Sequence, residues 1–441
     1  MMKLAVLTLS STRAAARCNP ERDEVVIELE STAGDPKTAE LVKLPQPKGE
    51  EATFPAALDG SPYAFYFRAS PTNSTKWTIN IQGGGWCYDE VDCLCRSQMS
   101  LGRSTGFEPT GGCQCKNPNK DGTIDTSCNC IDMLYLDGAS FSGSRAEPVP
   151  VPGNASAHLW MRGIKNLDAT LDWAFAKGMA DATEFVLTGG SAGGLSTFLH
   201  ADRFAGRLKK EAPKCAVVRA APVVGFFLDH DNYKHTDGYP GGPNSPQWST
   251  PGTGANYTMW MKYVYAMQNM TFGTDGGLTE ACRAKHPSEP HLCFMSPHMA
   301  DVIETPLFMF NSQFDAWQLA NEFQSSWPDT PSQNGVLQYG ADFMTELTAA
   351  GIGSAGSKHG GMITSCICHG CPWSDLVLDG KTSAEHFADW FYGATAGGAA
   401  SLHVDPRSPN GGGALSQSDP RFGSCKAFPD PAAQPNPKAC P

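Results

Sequence analysis

Gly189-Gly190-Ser191-Ala192-Gly193 places a serine between two segments of different character. Glu184-Phe185-Val186-Leu187-Thr188 before it reads as a short buried strand, and Gly194 to His200 after it opens a helix. A G-x-S-x-G turn at such a junction holds its serine on a strained corner with the hydroxyl exposed above the sheet. Small neighbours let the chain turn tightly and let a substrate carbonyl approach. The chemistry this permits is acyl transfer. It requires three further parts: a base, an acid that orients the base, and N–H donors for the oxyanion.

For the acid, Asp315 follows the apolar run Pro306-Leu307-Phe308-Met309-Phe310, which reads as a strand; Asp301 and Asp375 are weaker rivals. Functional loops of open α/β sheets gather at the carboxyl ends of strands, which favours Asp315. Downstream of it stand His359, His369, His386 and His403. His369 lies in Ser365-Cys366-Ile367-Cys368-His369-Gly370-Cys371, where bridges can fix a loop, and His359 sits in a Gly/Ser stretch. His386 falls inside a helix opened by the capping box Thr382-x-x-Glu385, and His403 falls in a tail. His369 and His359 both remain candidates on these grounds. The oxyanion donors are expected from Ala192 N–H and from the turn Gly83-Gly84-Gly85-Trp86, with Trp86 walling an acyl pocket. Cys366, Cys368, His369 and Cys371 also have the ligand types of a zinc site, but they are packed tighter than the usual C-x₂₋₄-C spacing.

These groups need a scaffold that brings distant segments together. Tyr63 to Phe67, Trp77 to Ile81 and Ala216 to Val218 read as further strands. Ile164, Leu167, Leu171, Ala174 and Phe175 form a helix-period stripe. Strand and helix alternate, so an α/β fold with a mostly parallel central sheet flanked by helices is expected. Residues 1–54 read as a leader and 396–441 as a Gly/Pro-rich tail, with a Gly/Pro-rich insertion at 232–256.

The chain has 441 residues, 18% of them charged, and a net charge of −12, which argues against nucleic acid or an anionic membrane surface as a partner. No stretch approaches the ~20 apolar residues of a transmembrane span. Sixteen cysteines point to an oxidising compartment and disulfide-stapled loops, above all between Cys93 and Cys130. The sequons at Asn73, Asn154, Asn256 and Asn269 agree with secretion, as does the basic and then apolar start Met1-Met2-Lys3-Leu4-Ala5-Val6-Leu7.

Several of these segments occur together in one family. Asp59-Gly60-Ser61-Pro62, Gly83-Gly84-Gly85-Trp86-Cys87, Leu136-Asp137-Gly138-Ala139-Ser140-Phe141 and Gly189 to Gly194 resemble the pectin acetylesterase/Notum family. So do Leu292-Cys293-Phe294, Thr305 to Phe308, Asp315-Ala316-Trp317-Gln318 and Ser365-Cys366 with His369. The resemblance runs from about residue 55 to 395. It implies one α/β-hydrolase-like catalytic domain and a serine carbohydrate esterase with no cofactor and no metal. It places the nucleophile on Ser191, the acid on Asp315 and the base on His369 over His359. The oxyanion donors fall on Gly84, Gly85 or Trp86, and Ala192. Plant members tend to carry a cysteine before the nucleophile and another in the following helix; Gly190 and Ala201 stand there in this chain. The expected bridges are Cys87 with Cys93 or Cys95, and Cys282 with Cys293.

The resulting expectation is a secreted esterase that removes acetyl groups from a cell-wall or matrix polysaccharide such as pectin. Two other readings are a Notum-like carboxylesterase acting on a fatty acyl group of a lipidated protein, and a glycan-binding protein without catalysis. Trp86, Phe141, Phe226 and Phe227 are the side chains that could line either acyl pocket.

Overall fold

The structure is a computed structural model that describes residues 38–49, 53–230, 257–323, 333–354, 356–365, 369–370, 377–393 and 402–405. The strands are β1 (Ala39–Lys43), β2 (Ala64–Arg68), β3 (Lys76–Ile81), β4 (Thr110–Gly111), β5 (Asn129–Met133), β6 (Val149–Val151) and β7 (Asn154–Leu159). They continue with β8 (Glu184–Gly190), β9 (Val217–Val223), β10 (Phe308–Ser312), β11 (Gly360–Thr364), β12 (Val377–Leu378), β13 (Lys381–Thr382) and β14 (Leu402–Val404). The helices are α1 (Glu90–Ser97), α2 (Gly163–Ala176), α3 (Ala192–Glu211), α4 (Tyr257–Met267) and α5 (Glu280–Lys285). After them come α6 (Ser296–Met299), α7 (Ala316–Asn321), α8 (Gln333–Ala349) and α9 (Ser383–Gly393).

Ten strands form one sheet in the order β14-β11-β10-β9-β8-β3-β5-β2-β1-β4. From β14 to β5 every pairing is parallel, whereas β2, β1 and β4 add antiparallel pairings at one side. This is the mostly parallel sheet anticipated from the sequence. A parallel strand covered on both faces reads as a continuous apolar run, which explains Phe185-Val186-Leu187 in β8. Phe185 and Leu187 enter the core beneath α3 with Leu195 and Phe198, and Val186 enters the opposite core with Phe308, Phe387 and Trp390 of the α9 side.

Two strands of this sheet lie outside the 55–395 stretch. β1 comes from the segment read as a leader, where Leu41 and Val42 pair with Tyr66 and Phe65. β14 comes from the segment read as a tail and pairs with β11 through Leu402, His403 and Val404. Both are too short for a periodic signal, and both gain their hydrogen bonds from strands already in place. Residues 1–37, the 232–256 insertion and the tail beyond 405 lie outside the described residues.

Among the described residues, four disulfides tie the loops. Cys87 pairs with Cys93 rather than Cys95, and Cys282 pairs with Cys293 as expected. Cys113–Cys130 and Cys115–Cys128 close the cysteine-rich segment onto β5. The capping box also forms: Glu385 accepts from Thr382 N–H at 2.7 Å, and Thr382 Oγ1 accepts from Glu385 N–H at 3.2 Å. The Cys113–Cys130 bridge spans 17 residues. Replacing both cysteines by serine is expected to lower the unfolding free energy by about 3 kcal/mol on loop entropy. Urea denaturation checks this, and an unchanged midpoint would show that the bridge contributes nothing.

Candidate active site

β8 delivers the chain to the sharp corner at Ser191, whose φ of 57° and ψ of −126° lie in a region that non-glycine residues rarely adopt. The corner is held from both sides. Ser191 N–H donates to the Val223 carbonyl at the end of β9 (2.9 Å), and its carbonyl receives the first turn of α3 through Leu195 N–H (2.9 Å). Gly193 must be glycine, because a β-carbon there would collide with the Ile81 carbonyl at the end of β3.

His369 Nε2 lies 2.9 Å from Ser191 Oγ, and its Nδ1 lies 2.8 and 2.9 Å from the two oxygens of Asp315. Asp315 is fully buried three residues past β10 and caps α7, with Oδ1 accepting from Trp317 and Gln318 N–H at 3.0 Å each. The carboxylate therefore takes three donors, and its hold on Nδ1–H leaves Nε2 as the lone pair facing the serine hydroxyl.

The other candidates lie elsewhere. His359 precedes β11 rather than following it, so it sits at the opposite edge of the sheet. It is 5% exposed, its Nδ1 accepts from Leu307 N–H, and burial pushes its pKa down to about 4. His386 binds the Leu378 carbonyl and stacks on His403 with ring centroids 3.7 Å apart. Asp301 pairs with Lys285 (2.8 Å). Asp375, Cys366, Cys368 and Cys371 lie outside the described residues. Among the sequons, Asn73 and Asn269 are exposed turn residues with φ of 56° and 50°, Asn154 is half-buried at the start of β7, and Asn256 lies outside the described residues.

The turn after β3 packs on the elbow so closely that a β-carbon at Gly83 would strike the Gly190 carbonyl. Gly84 and Gly85 take φ of 152° and 64°. Among the described residues, none of the N–H groups of Gly84, Gly85, Trp86 and Ala192 is spent on a hydrogen bond. Ser140 fastens this turn to the helix: its Oγ accepts from Trp86 Nε1 (2.9 Å) and donates to the Ala192 carbonyl (2.8 Å). Its own N–H donates to Tyr135 OH (2.9 Å), and His200 Nε2 contacts its carbonyl (3.0 Å). Burial keeps His200 neutral, with a pKa pushed down to about 3. The sequence carries no signal for this role of Ser140: nothing in the Asp-Gly-Ala-Ser segment distinguishes a brace from a turn.

Trp86, Phe227 and Trp317 form a mutual triangle, with centroids 4.9, 5.4 and 5.6 Å apart, and Tyr257 joins it. Phe227 and Trp317 also reach His369, at 6.3 and 6.2 Å. Phe226 and Phe141 do not join them. Phe226 points the other way from its neighbour and packs on Phe198 and Phe343, and Phe141 packs on Tyr63 and Tyr135. Gln318 secures Phe227 by bonding the Phe226 carbonyl (3.0 Å) and Leu228 N–H (3.2 Å). Tyr339 OH lies 2.8 Å from both Gln318 Oε1 and Glu322 Oε2. Glu322 is fully buried, which raises its pKa well above the usual range and favours the neutral carboxyl although the Tyr339 hydroxyl donates to it.

A family model for pectinacetylesterase matches residues 38–409 of this chain. Pectin acetylesterase 5 of Arabidopsis thaliana is 29% identical over 379 residues, covering 80% of this chain and 81% of the relative. Pectin acetylesterase 11 of the same plant is 31% identical over 272 residues, and there the match spans 60% of each chain. Among solved structures, that of the Wnt deacylase Notum from Drosophila superposes with a TM-score of 0.68 at 22% identity, covering 84% of this chain and 97% of the other. That likeness carries the fold.

Asp137, at the head of the segment bearing Ser140, is fully buried, and desolvation pushes its pKa up to about 7 although Phe141 N–H donates to it. A carboxyl raised on folding binds its proton in the native state and releases it in the unfolded one. Its stability contribution is therefore complete below about pH 4 and lost as the pH rises through about 7. The stability of the native sequence is expected to fall relative to Asp137→Asn across that window. Urea unfolding of both at several pH values checks this, and a difference independent of pH would mean that the buried carboxyl is ionised.

Proposed function

This chain belongs to the pectinacetylesterase family, and on that premise we propose that it is a carboxylic ester hydrolase removing O-acetyl groups from an acetylated polysaccharide such as pectin. Ser191 is the nucleophile, His369 the base and Asp315 the acid that orients it. The observation that carries this reading is the continuous relay from Asp315 through His369 to Ser191 Oγ, every link between 2.8 and 2.9 Å.

As Ser191 Oγ attacks the ester carbonyl, its proton passes to His369 Nε2, and Asp315 stabilises the imidazolium. The oxyanion that develops on the former carbonyl oxygen is met by Ala192 N–H and by N–H groups of the Gly84, Gly85 and Trp86 turn. Collapse expels the sugar oxygen, which takes the proton back from His369, and the acetyl group stays on Ser191. Water then repeats the sequence and leaves acetate, a proton and free enzyme.

The Trp86–Phe227–Trp317 triangle favours a short acyl group over a fatty one. The three rings pack edge against face on one another, whereas a long chain needs a deep apolar slot. The four disulfides among the described residues agree with a secreted protein. Among the described residues no helix is long and apolar enough to cross a membrane.

Two measurements test the proposal. Acetate release from acetylated pectin is expected to drop at least ~1,000-fold in Ser191→Ala. In a series of para-nitrophenyl esters, acetate is expected to be turned over fastest, with the rate falling as the acyl chain lengthens. Preference for the longest chains would assign the protein to lipid ester hydrolysis, and silence on every ester would leave a glycan-binding role.

A further inference from the structure

Arg96 stands in the last turn of α1, within the cysteine-rich segment, and is 3% exposed. Its guanidinium is directed at the backbone of the glycine turn. Nη1 donates to the Gly84 carbonyl at 2.8 Å and Nη2 to the Trp86 carbonyl at 3.2 Å. Nε is buried without a partner among the described residues. The acid that senses it, Asp137, keeps its proton up to about pH 7. A buried cation is thus committed to two neutral carbonyls.

We propose that Arg96 is the positioning residue of the oxyanion site, gripping the Gly84 carbonyl so that the Gly85 N–H is held toward the developing oxyanion. This rests on the esterase reading above. In a trans peptide the carbonyl and the following N–H point in opposite directions. Fixing the Gly84 carbonyl on the Arg96 side therefore aims Gly85 N–H away from it. The second contact works alike: with the Trp86 carbonyl on Arg96, the Cys87 N–H is turned to the Gly138 carbonyl (3.1 Å). Gly84 and Gly85 have no β-carbon to limit them, so without such a grip the turn would sample many conformations. The positive charge on the carbonyl also polarises the same peptide, making its N–H a stronger donor.

The helix that carries Arg96 is itself anchored at its start. Asp89 caps it by accepting from Asp92 N–H (2.8 Å), and the Cys87–Cys93 bridge ties it to the end of the glycine turn. Cation, helix and turn therefore form one unit set before substrate arrives, as transition-state stabilisation requires.

The test uses Arg96→Gln and Arg96→Lys in the full chain, with para-nitrophenyl acetate as substrate and an aryl trifluoromethyl ketone as the oxyanion mimic. For Arg96→Gln, kcat is expected to fall about 100-fold, the size of losing one oxyanion donor, while KM stays within about threefold. Affinity for the ketone should fall in proportion to kcat. Arg96→Lys should recover part of both, since an ammonium group can hold one carbonyl. A folded Arg96→Gln with native melting temperature and native kcat overturns the proposal, as does loss of kcat with ketone affinity intact. If Arg96→Gln fails to fold, Arg96→Lys decides alone: lowered kcat and ketone affinity at constant KM support the assignment, and native values refute it. Undiminished activity in Ser191→Ala would instead break the esterase reading, whereas a Ser191→Ala reduced at least ~1,000-fold beside fully active Arg96 variants would break only this one.

Discussion

The parallel register of β3, β8 and β9 is the constraint on which the rest of the structure depends. Ile81 stands opposite Gly189, and Gly190 opposite Val223, so the three strands end together. The glycine turn, the serine corner and the segment that carries Phe227 therefore emerge side by side on one edge. β10 and β11 repeat the arrangement with Ser312 opposite Thr364, and they release Asp315 and the approach to His369 on the same edge. In a parallel sheet all carboxyl ends face one way, so five separate segments converge without any long excursion of the chain. A slip of one residue in β8 would exchange its two buried faces and remove the corner altogether.

That edge carries unfavourable backbone. Ser140, Phe141, Ser191 and Val224 all have positive φ, and such conformations cost of the order of 1–3 kcal/mol each. They persist because neighbouring hydrogen bonds over-determine them: Ser140 is bonded through its N–H, its carbonyl and its hydroxyl, and Val224 N–H donates to the Phe310 carbonyl. The same surroundings suppress charge. Glu322 is kept neutral by burial, which outweighs the pull of the Tyr339 hydroxyl, and His200 by burial with a smaller push from Arg203, so neither places a charge against the relay.

Much of this was legible in the chain because the relevant signals are local. The apolar run of β8, the glycines around Ser191, the run before Asp315 and the Thr382–Glu385 box each declare themselves within a few residues. The choice between His359 and His369 does not, since both lie in polar, glycine-containing stretches. What separates them is β11, whose sequence Gly360-Gly361-Met362-Ile363-Thr364 opens with two glycines and carries no strand signature. With β11 in place, one histidine falls before the strand and the other after it, and only the latter can reach the serine. β5 was hidden for a similar reason: Asn129, Cys130 and Asp132 occupy a strand that is stabilised by its neighbours and two disulfides rather than by its own apolar content. Ser140 and Gln318 act through contacts between residues far apart in the chain, which no spacing rule reveals.

The pairing of Ser191 with His369 joins residues 178 positions apart. Contacts of that range pay their chain-closure entropy before they return anything, and parallel sheets rich in them assemble slowly. The relay can close only once β9, β10 and β11 lie beside β8 in the sheet. Until β11 joins the sheet, the serine has no base. Reactivity in this molecule is a property of the finished sheet, and a partly folded chain carries the nucleophile without the means to use it.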